Sequence, residues 1–198
     1  PLLAEHNNSI SLNEKLFARI KAVYEQKDQL QLKGEDAQLL QKTYDGFVRS
    51  GANLTGEAKE KFRQLNTELS ILTLRFSQNL LKETNNYELA LTEKPLESYA
   101  QTAKDKGKEG SIITLDAPSF VPFMKYCDDR SLRREVYMAY NTQCTHNNEY
   151  NNVDIIKQLV NIRMELAHLL GFSTFAEYKL KKRMAETSDA VYKLLNQL

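Results

Sequence analysis

One unbroken apolar period constrains this chain more than any other feature. Phe62, Leu65, Leu69, Leu72, Phe76 and Leu80 recur at spacings of three and four, the signature of one face of an α-helix. Thr55 is placed to cap its start. A helix from about Gly56 to Glu83 is on the order of 40 Å long at 1.5 Å per residue. An element of that length packs against several partners and acts as a spine. Only 7 glycines and 4 prolines in 198 residues favour long helices over a strand-rich fold.

Other helices follow the same rule. Ser11-Leu12-Asn13-Glu14 reads as a capping box, with Leu12, Leu16, Ile20, Val23 and Tyr24 forming an apolar face behind it. After Gly34 the period resumes in Leu39, Leu40, Tyr44, Phe47 and Val48, and Ser50-Gly51 ends it. Two antiparallel helices with a short link are expected. Asp116-Ala117-Pro118 and Asp129 open two more, the second presenting Leu132, Val136, Ala139 and Tyr140. Phe47, Phe62, Phe76 and Tyr140 fall on these stripes as core aromatics. Phe120 to Met124 is more apolar than one helix face requires, so packing on two sides, or against a part of the protein beyond these residues, is expected there. A polar loop from Thr142 to Asn151 precedes a helix with Ile155, Ile156, Leu159, Ile162, Leu166, Leu169 and Leu170, stopped by Gly171-Phe172. Ser173 is expected to cap a short helix, and Thr187 or Ser188 a final one.

That final helix carries Val191, Leu194, Leu195 and Leu198 on one stripe and shows no stop signal. The chain opens at Pro1 without an initiator methionine. Both features lead us to expect a piece of a longer protein. In the middle the period changes. Tyr87, Leu89 and Leu91 alternate with polar or small neighbours, and Ser111-Ile112-Ile113-Thr114-Leu115 is a second β-favouring run. A small paired insert at about 86–116 is expected, with a short helix between from Leu96 to Lys106, stopped by Gly107.

Lys and Arg number 27 against 26 Asp and Glu, a net charge of +1. A nucleic-acid partner normally requires a clear basic excess, so that class is disfavoured. The cluster Lys179, Lys181, Lys182 and Arg183 reads as a solvated helix face. A mean hydropathy of −0.54 and no apolar run of about 20 residues disfavour a membrane span. Cys127 and Cys144 lack metal spacing and read as reduced thiols in a cytoplasmic protein.

The candidates for chemistry are few. Histidine occurs at His6, His146 and His168, and none is followed by glutamate, so the zinc-peptidase motif HExxH does not occur in this sequence. Glu165 and His168 form one Glu-x-x-His on a helix, but a di-iron bundle needs two such pairs and two further glutamates. Cys144, His146 and Glu149 cluster in the polar loop. They could form a metal site or a Cys–His nucleophile, yet nothing in sequence orients the histidine, and a solvated loop is the simpler reading. There is no dinucleotide fingerprint, phosphate loop or GxSxG elbow. No residue of the chain is assigned as catalytic, metal-binding or cofactor-binding, and no substrate contact is named.

Several strings in one order resemble a known family. His6 to Ile20 (HNNSISLNEKLFARI) is similar to the opening of the helical half of the zinc oligopeptidases, which include thimet oligopeptidase, neurolysin, oligopeptidase A and dipeptidyl carboxypeptidase. Phe47 to Leu54 resembles F-x-R-x-G-A-x-L. Leu69 to Asn79 resembles the helix that follows, with Phe76 and Asn79 in place. Thr114 to Phe120 matches the segment after the second strand, and Arg130 to Glu135 resembles R-x-L-R-E/K. Arg163 to Phe172, then Phe175-Ala176, Met184-Ala185 and Thr187, is similar to R-x-x-x-A-x-L-L-G-F/Y with its trailing M-A-x-T. By these strings the chain most resembles the bacterial dipeptidyl carboxypeptidase subfamily. One departure is clear: between Thr92 and Tyr99 only Glu93 to Ser98 stand where the family has a longer stretch with Gly-Leu-Pro, which implies a shortened hairpin.

The resemblance implies a mainly α fold, a multi-helix lobe of neurolysin-like architecture with a small sheet, formed here by residues 1–198 as a single lobe. It implies a parent zinc metallopeptidase that hydrolyses short peptides, with the zinc helix and a third, glutamate ligand downstream of these residues. The partners implied are short peptides and the C-terminal catalytic part of the same polypeptide. The rival reading is a helical interaction module with no peptidase attached. A third, a metal-binding bundle, requires ligands this sequence lacks.

Overall fold

The computed structural model describes residues 2–91 and 103–198. It is mainly helical, with one two-stranded sheet among the described residues. In chain order the elements are α1 (Leu2–Ser11), α2 (Glu14–Glu25), α3 (Glu35–Arg49), α4 (Gly56–Asn86), β1 (Leu89–Leu91), β2 (Ser111–Ile113), α5 (Ala117–Tyr126), α6 (Arg130–Asn141), α7 (Val153–Leu169), α8 (Phe175–Leu180) and α9 (Ser188–Leu195). They pack into two compact units, one of residues 1–73 with 158–198, the other of residues 74–157.

In the first unit, α2 and α3 are joined by aromatic stacking. The Phe17 ring lies 5.9 Å from Tyr44 and 6.1 Å from Phe47, and Tyr24 lies 3.7 Å from Tyr44, nearly parallel at 4°. This fulfils the expected helix pair. The capping box does not form. Ser11 is the last residue of α1, a helix the sequence reading omitted, and its hydroxyl donates to the Asn7 carbonyl (2.9 Å). Asn13 caps α2 instead, accepting from the Leu16 amide at 2.9 Å. Glu14 accepts from Lys59 Nζ at 2.6 Å. Asparagine caps as well as serine does, so a helix ending at Ser11 leaves Asn13 as the competent neighbour.

The spine forms as α4 and runs to Asn86, 31 residues, about 46 Å. Phe62, Leu65 and Leu72 are buried on it, whereas Leu80 is exposed. Leu16, Val23, Leu39 and Ile156 are exposed as well. The stripes therefore mark helices more reliably than they mark burial.

The helix stops follow from the glycines. Gly171 takes φ +81, its amide bonds the His168 carbonyl at 3.0 Å, and the Phe172 amide bonds the Ala167 carbonyl at 2.9 Å. This is a Schellman motif. Gly107 (φ +66) repeats it, with its own amide on Lys104 and the Lys108 amide on Ala103. The expected helix 96–106 and the shortened stretch 93–98 otherwise lie outside the described residues. Thr174, rather than Ser173, caps α8 by accepting from the Glu177 amide, while the Ser173 hydroxyl donates to the Glu177 carboxylate at 2.7 Å. Thr187 caps α9. That helix does not continue to Leu198: it closes at Leu195 with Asn196 as C-cap.

In the second unit, β1 and β2 pair antiparallel, Leu89 opposite Ile113 and Leu91 opposite Ser111. The expected insert thus forms, and its buried strand feeds the core. Ile113, Leu115, Phe123 and Val136 are buried together, with Tyr87, Leu89, Phe120 and Leu132 packed around them. Phe120 also stacks on Tyr140 with centroids 4.1 Å apart, although Tyr140 is itself exposed. Among the described residues, Phe120 to Met124 packs on one side only, and packing against a further part of the protein, the other alternative expected for it, lies beyond these residues. Phe120 and Phe123 turn to the core, while Val121 and Pro122 are exposed.

Candidate functional site

The polar loop expected at Thr142 to Asn151 folds against the C-terminal end of α4 and encloses a cleft of about 250 Å³. Glu83, Asn86, Tyr87, His146, Asn148 and Tyr150 supply its polar lining. The loop holds its shape through its own amides. Asn151 Nδ2 donates to the His146 carbonyl at 2.8 Å, Asn148 Oδ1 accepts from the Tyr150 amide at 2.9 Å, and Asn151 Oδ1 accepts from the Val153 amide at 2.8 Å. These local bonds are the reason an asparagine-rich stretch is ordered here.

Glu83 is the centre of the cleft. Its side chain is only 12% exposed, with Oε1 3.6 Å from His146 Nε2 and Oε2 accepting from Asn148 Nδ2 at 3.5 Å. The Tyr87 hydroxyl is buried and has no hydrogen-bond partner among the described residues. Burial, and then the charge of Glu135, push that phenol above its ordinary range. The Tyr150 phenol is also raised, first by its hydrogen bond to Glu149.

Of the expected cluster, Cys144 and His146 come to this region without forming a nucleophilic pair. Cys144 is buried, and burial together with the Glu83 charge pushes its thiol up. An activated thiol needs the opposite environment. His146 faces Glu83, and Glu149 bonds Tyr150. The Glu-x-x-His pair does not converge either. Glu165 meets Lys61 at 3.2 Å, and His168 Nε2 lies 3.1 Å from the Ser173 carbonyl. Among the described residues no group of three or more His, Cys, Asp and Glu could hold a metal ion. The described residues do not fit a zinc site. What the cleft offers is a partly buried carboxylate–imidazole pair, able to accept donors from a small polar group. Glu83 and Tyr87 carried no sequence signal, since one is an ordinary helix glutamate and the other belonged to the strand pattern.

All four residues of the basic cluster, Lys179, Lys181, Lys182 and Arg183, are exposed, and Lys179 lies over the rings of Phe175 and Tyr178, at 5.2 and 5.3 Å. Burial lowers the Lys179 pKa, and Arg49, Arg183 and Arg163 add to that. Arg49 donates to the Tyr178 carbonyl at 2.6 Å and stacks on its ring, and the Tyr178 hydroxyl returns a bond to the Arg49 carbonyl. The arginine of the F-x-R-x-G string thus fastens α3 to α8.

Similarity to known proteins covers the whole chain. A family model described as peptidase family M3 matches residues 123–198. Oligopeptidase A of Haemophilus influenzae is 31% identical over 211 residues, covering 100% of this chain. Dipeptidyl carboxypeptidase of Escherichia coli is 32% identical and covers 99% of it. The chain is similar to peptidase family M3. Organellar oligopeptidase A of Arabidopsis thaliana is 33% identical over 92% of the chain. The chain spans 31%, 30% and 25% of the lengths of oligopeptidase A, dipeptidyl carboxypeptidase and organellar oligopeptidase A, respectively. Arg49 and Asn79, within the strings read from the sequence, are structural fasteners.

Proposed function

We propose that this chain is a non-catalytic, N-terminal lobe segment of a zinc metallopeptidase that hydrolyses short peptides, and that it helps to wall the substrate channel. The observation that carries this reading is one of proportion. The similarity runs through nearly the entire chain, yet the chain amounts to under a third of each relative reported above, and its three histidines lie outside any HExxH string. The zinc helix then belongs to a further part of the polypeptide, where the metal would polarise the scissile carbonyl and activate water. A wall built of rigid helices selects substrate by size, and movement between lobes gates access. Two free thiols, Cys127 and Cys144, suit a reducing compartment such as the cytoplasm.

The reading frame that contains this chain tests the proposal. It should continue past Leu198 into a helix with HExxH and a later glutamate. A frame that closes without that motif would leave the helical interaction module as the better reading.

A further inference from the structure

Between α1, α3, α4 and α8, within the first unit, lies a cavity of about 410 Å³ whose lining includes Asn7, Arg49, Ser50, Asn66, Ser70 and Tyr178. Among the described residues no Asp or Glu lines it. Arg49 is half-buried, and its guanidinium is only partly used. Nη2 donates to the Tyr178 carbonyl, and Cζ lies 4.3 Å from the Tyr178 ring. Nε and Nη1 bond nothing among the described residues, yet they are not sealed from solvent. Asp45, one turn earlier on α3, accepts from Gln41 at 3.0 Å and forms no ion pair with Arg49. Glu165 is taken by Lys61, and Glu177 by Ser173.

The surroundings add positive charge rather than offset it. Lys179 Nζ lies 5.3 Å from the same Tyr178 ring, and the charges of Arg49, Arg183 and Arg163 all bear on it. None of these cations has a carboxylate partner among the described residues. A partly desolvated cation without a counter-ion is uncommon, and it gains most from a matching anion.

The same lining supplies neutral donors. Ser50, Asn66 and Ser70 are half-buried, and their side chains bond nothing among the described residues while still reaching solvent. Asn66 and Ser70 stand four apart on α4, so they lie side by side on one face. The last carbonyls of α3 are occupied, Phe47 by the Ala52 amide, Val48 by the Gly51 amide and Arg49 by the Tyr178 hydroxyl. They therefore compete little with an anion for these donors.

We propose that this cavity binds the phosphate group of a small molecule. Arg49 Nε and Nη1 are the charged donors, and Ser50, Asn66 and Ser70 the neutral ones. Donors arriving from two helices suit a tetrahedral group with oxygens on several sides, and arginine is well matched to phosphate. The proposal stands without the peptidase reading, because it uses only residues of this chain and requires no hydrolysis.

The test is a nuclear magnetic resonance titration of the full 198-residue chain with inorganic phosphate at fixed pH and ionic strength. The Arg49 Nε–H and Asn66 side-chain amide signals should shift saturably with one midpoint. Acetate should need at least about tenfold more to do the same, since it brings one charge and one edge. Glycerol 3-phosphate, run beside it, tells an ester from the free ion, and saturable binding of either supports the site. Arg49→Gln should abolish saturation at the Asn66 amide. Asn66→Ala should weaken the apparent Kd roughly tenfold, the effect of one lost hydrogen bond to a charged group. Arg49 also fastens α8, so Asn66→Ala, which breaks no bond among the described residues, keeps the test decisive if Arg49→Gln fails to fold. The proposal is overturned by any of three results: no saturable shift of either signal, acetate binding as well as phosphate, or an unchanged Kd in Asn66→Ala.

Discussion

Asn79 Nδ2 donates to Asn152 Oδ1 at 2.9 Å, with both side chains buried. Asn152 then donates its own Nδ2 to the Phe76 carbonyl at 3.1 Å, and its amide bonds the Cys144 carbonyl at 2.8 Å. One side chain thereby ties the start of α7 and the polar loop to α4, across more than 70 residues of sequence. Asn152→Ala removes two side-chain bonds and strands the Asn79 amide, while the Phe76 carbonyl keeps only its bond within α4. A loss of about 2–4 kcal/mol in urea unfolding is predicted. A loss below about 0.5 kcal/mol would show that the network contributes nothing net.

Two glycines predict opposite signs. Gly51 has φ +85, and an added Cβ would lie 3.0 Å from the Phe62 ring and 3.2 Å from Leu54. Gly51→Ala should destabilise by about 1–3 kcal/mol. Gly46 lies inside α3 with nothing within 4 Å of its absent Cβ, so Gly46→Ala should stabilise by about 0.5–1 kcal/mol. Thermal unfolding of the pair checks both signs together.

Glu88, just before β1, accepts from Lys106 at 2.8 Å and also from Lys108. These lysines hold its carboxyl below the ordinary value of 4.5. A depressed folded-state pKa contributes stability above the unfolded value and loses it as pH falls through the folded value. Glu88→Gln should therefore be less stable than the parent near neutrality, and the difference should close as pH falls below 4.5. Added salt should narrow the neutral-pH gap. Parallel pH profiles for the two proteins would contradict this.

The two thiols should differ in reactivity. Cys144 is buried and its thiol is pushed up by burial and by Glu83, whereas Cys127 is half-buried. A thiol reagent at mildly alkaline pH should label Cys127 rapidly and Cys144 slowly, and Glu83→Gln should speed the slow phase by removing the charge. Equal rates would contradict the environment described for Cys144.

The helices were legible because a 3.6-residue period leaves a mark wherever one face is apolar, as Phe62, Leu65 and Leu72 show on α4. The strand pair and the glycine stops at Gly107 and Gly171 were legible for the same local reason. Competition between equivalent caps was not: Asn13 displaced Ser11, and Thr174 displaced Ser173. Nor was α1, whose polar run His6-Asn7-Asn8-Ser9 carries little period. The cleft depends on Glu83 and Tyr87 meeting a loop some 60 residues later, a relation no local pattern encodes. The Asn79 and Arg49 strings were visible as resemblance, while their roles as fasteners emerged only from the contacts.

The most direct measurement compares hydrolysis of a short quenched fluorescent peptide, with zinc supplied, by this chain alone and by the product of its whole reading frame. A lobe without the metal site predicts no cleavage by the chain and chelator-sensitive cleavage by the longer product. Zinc-dependent cleavage by the 198-residue chain, or none by the longer product, would contradict the reading.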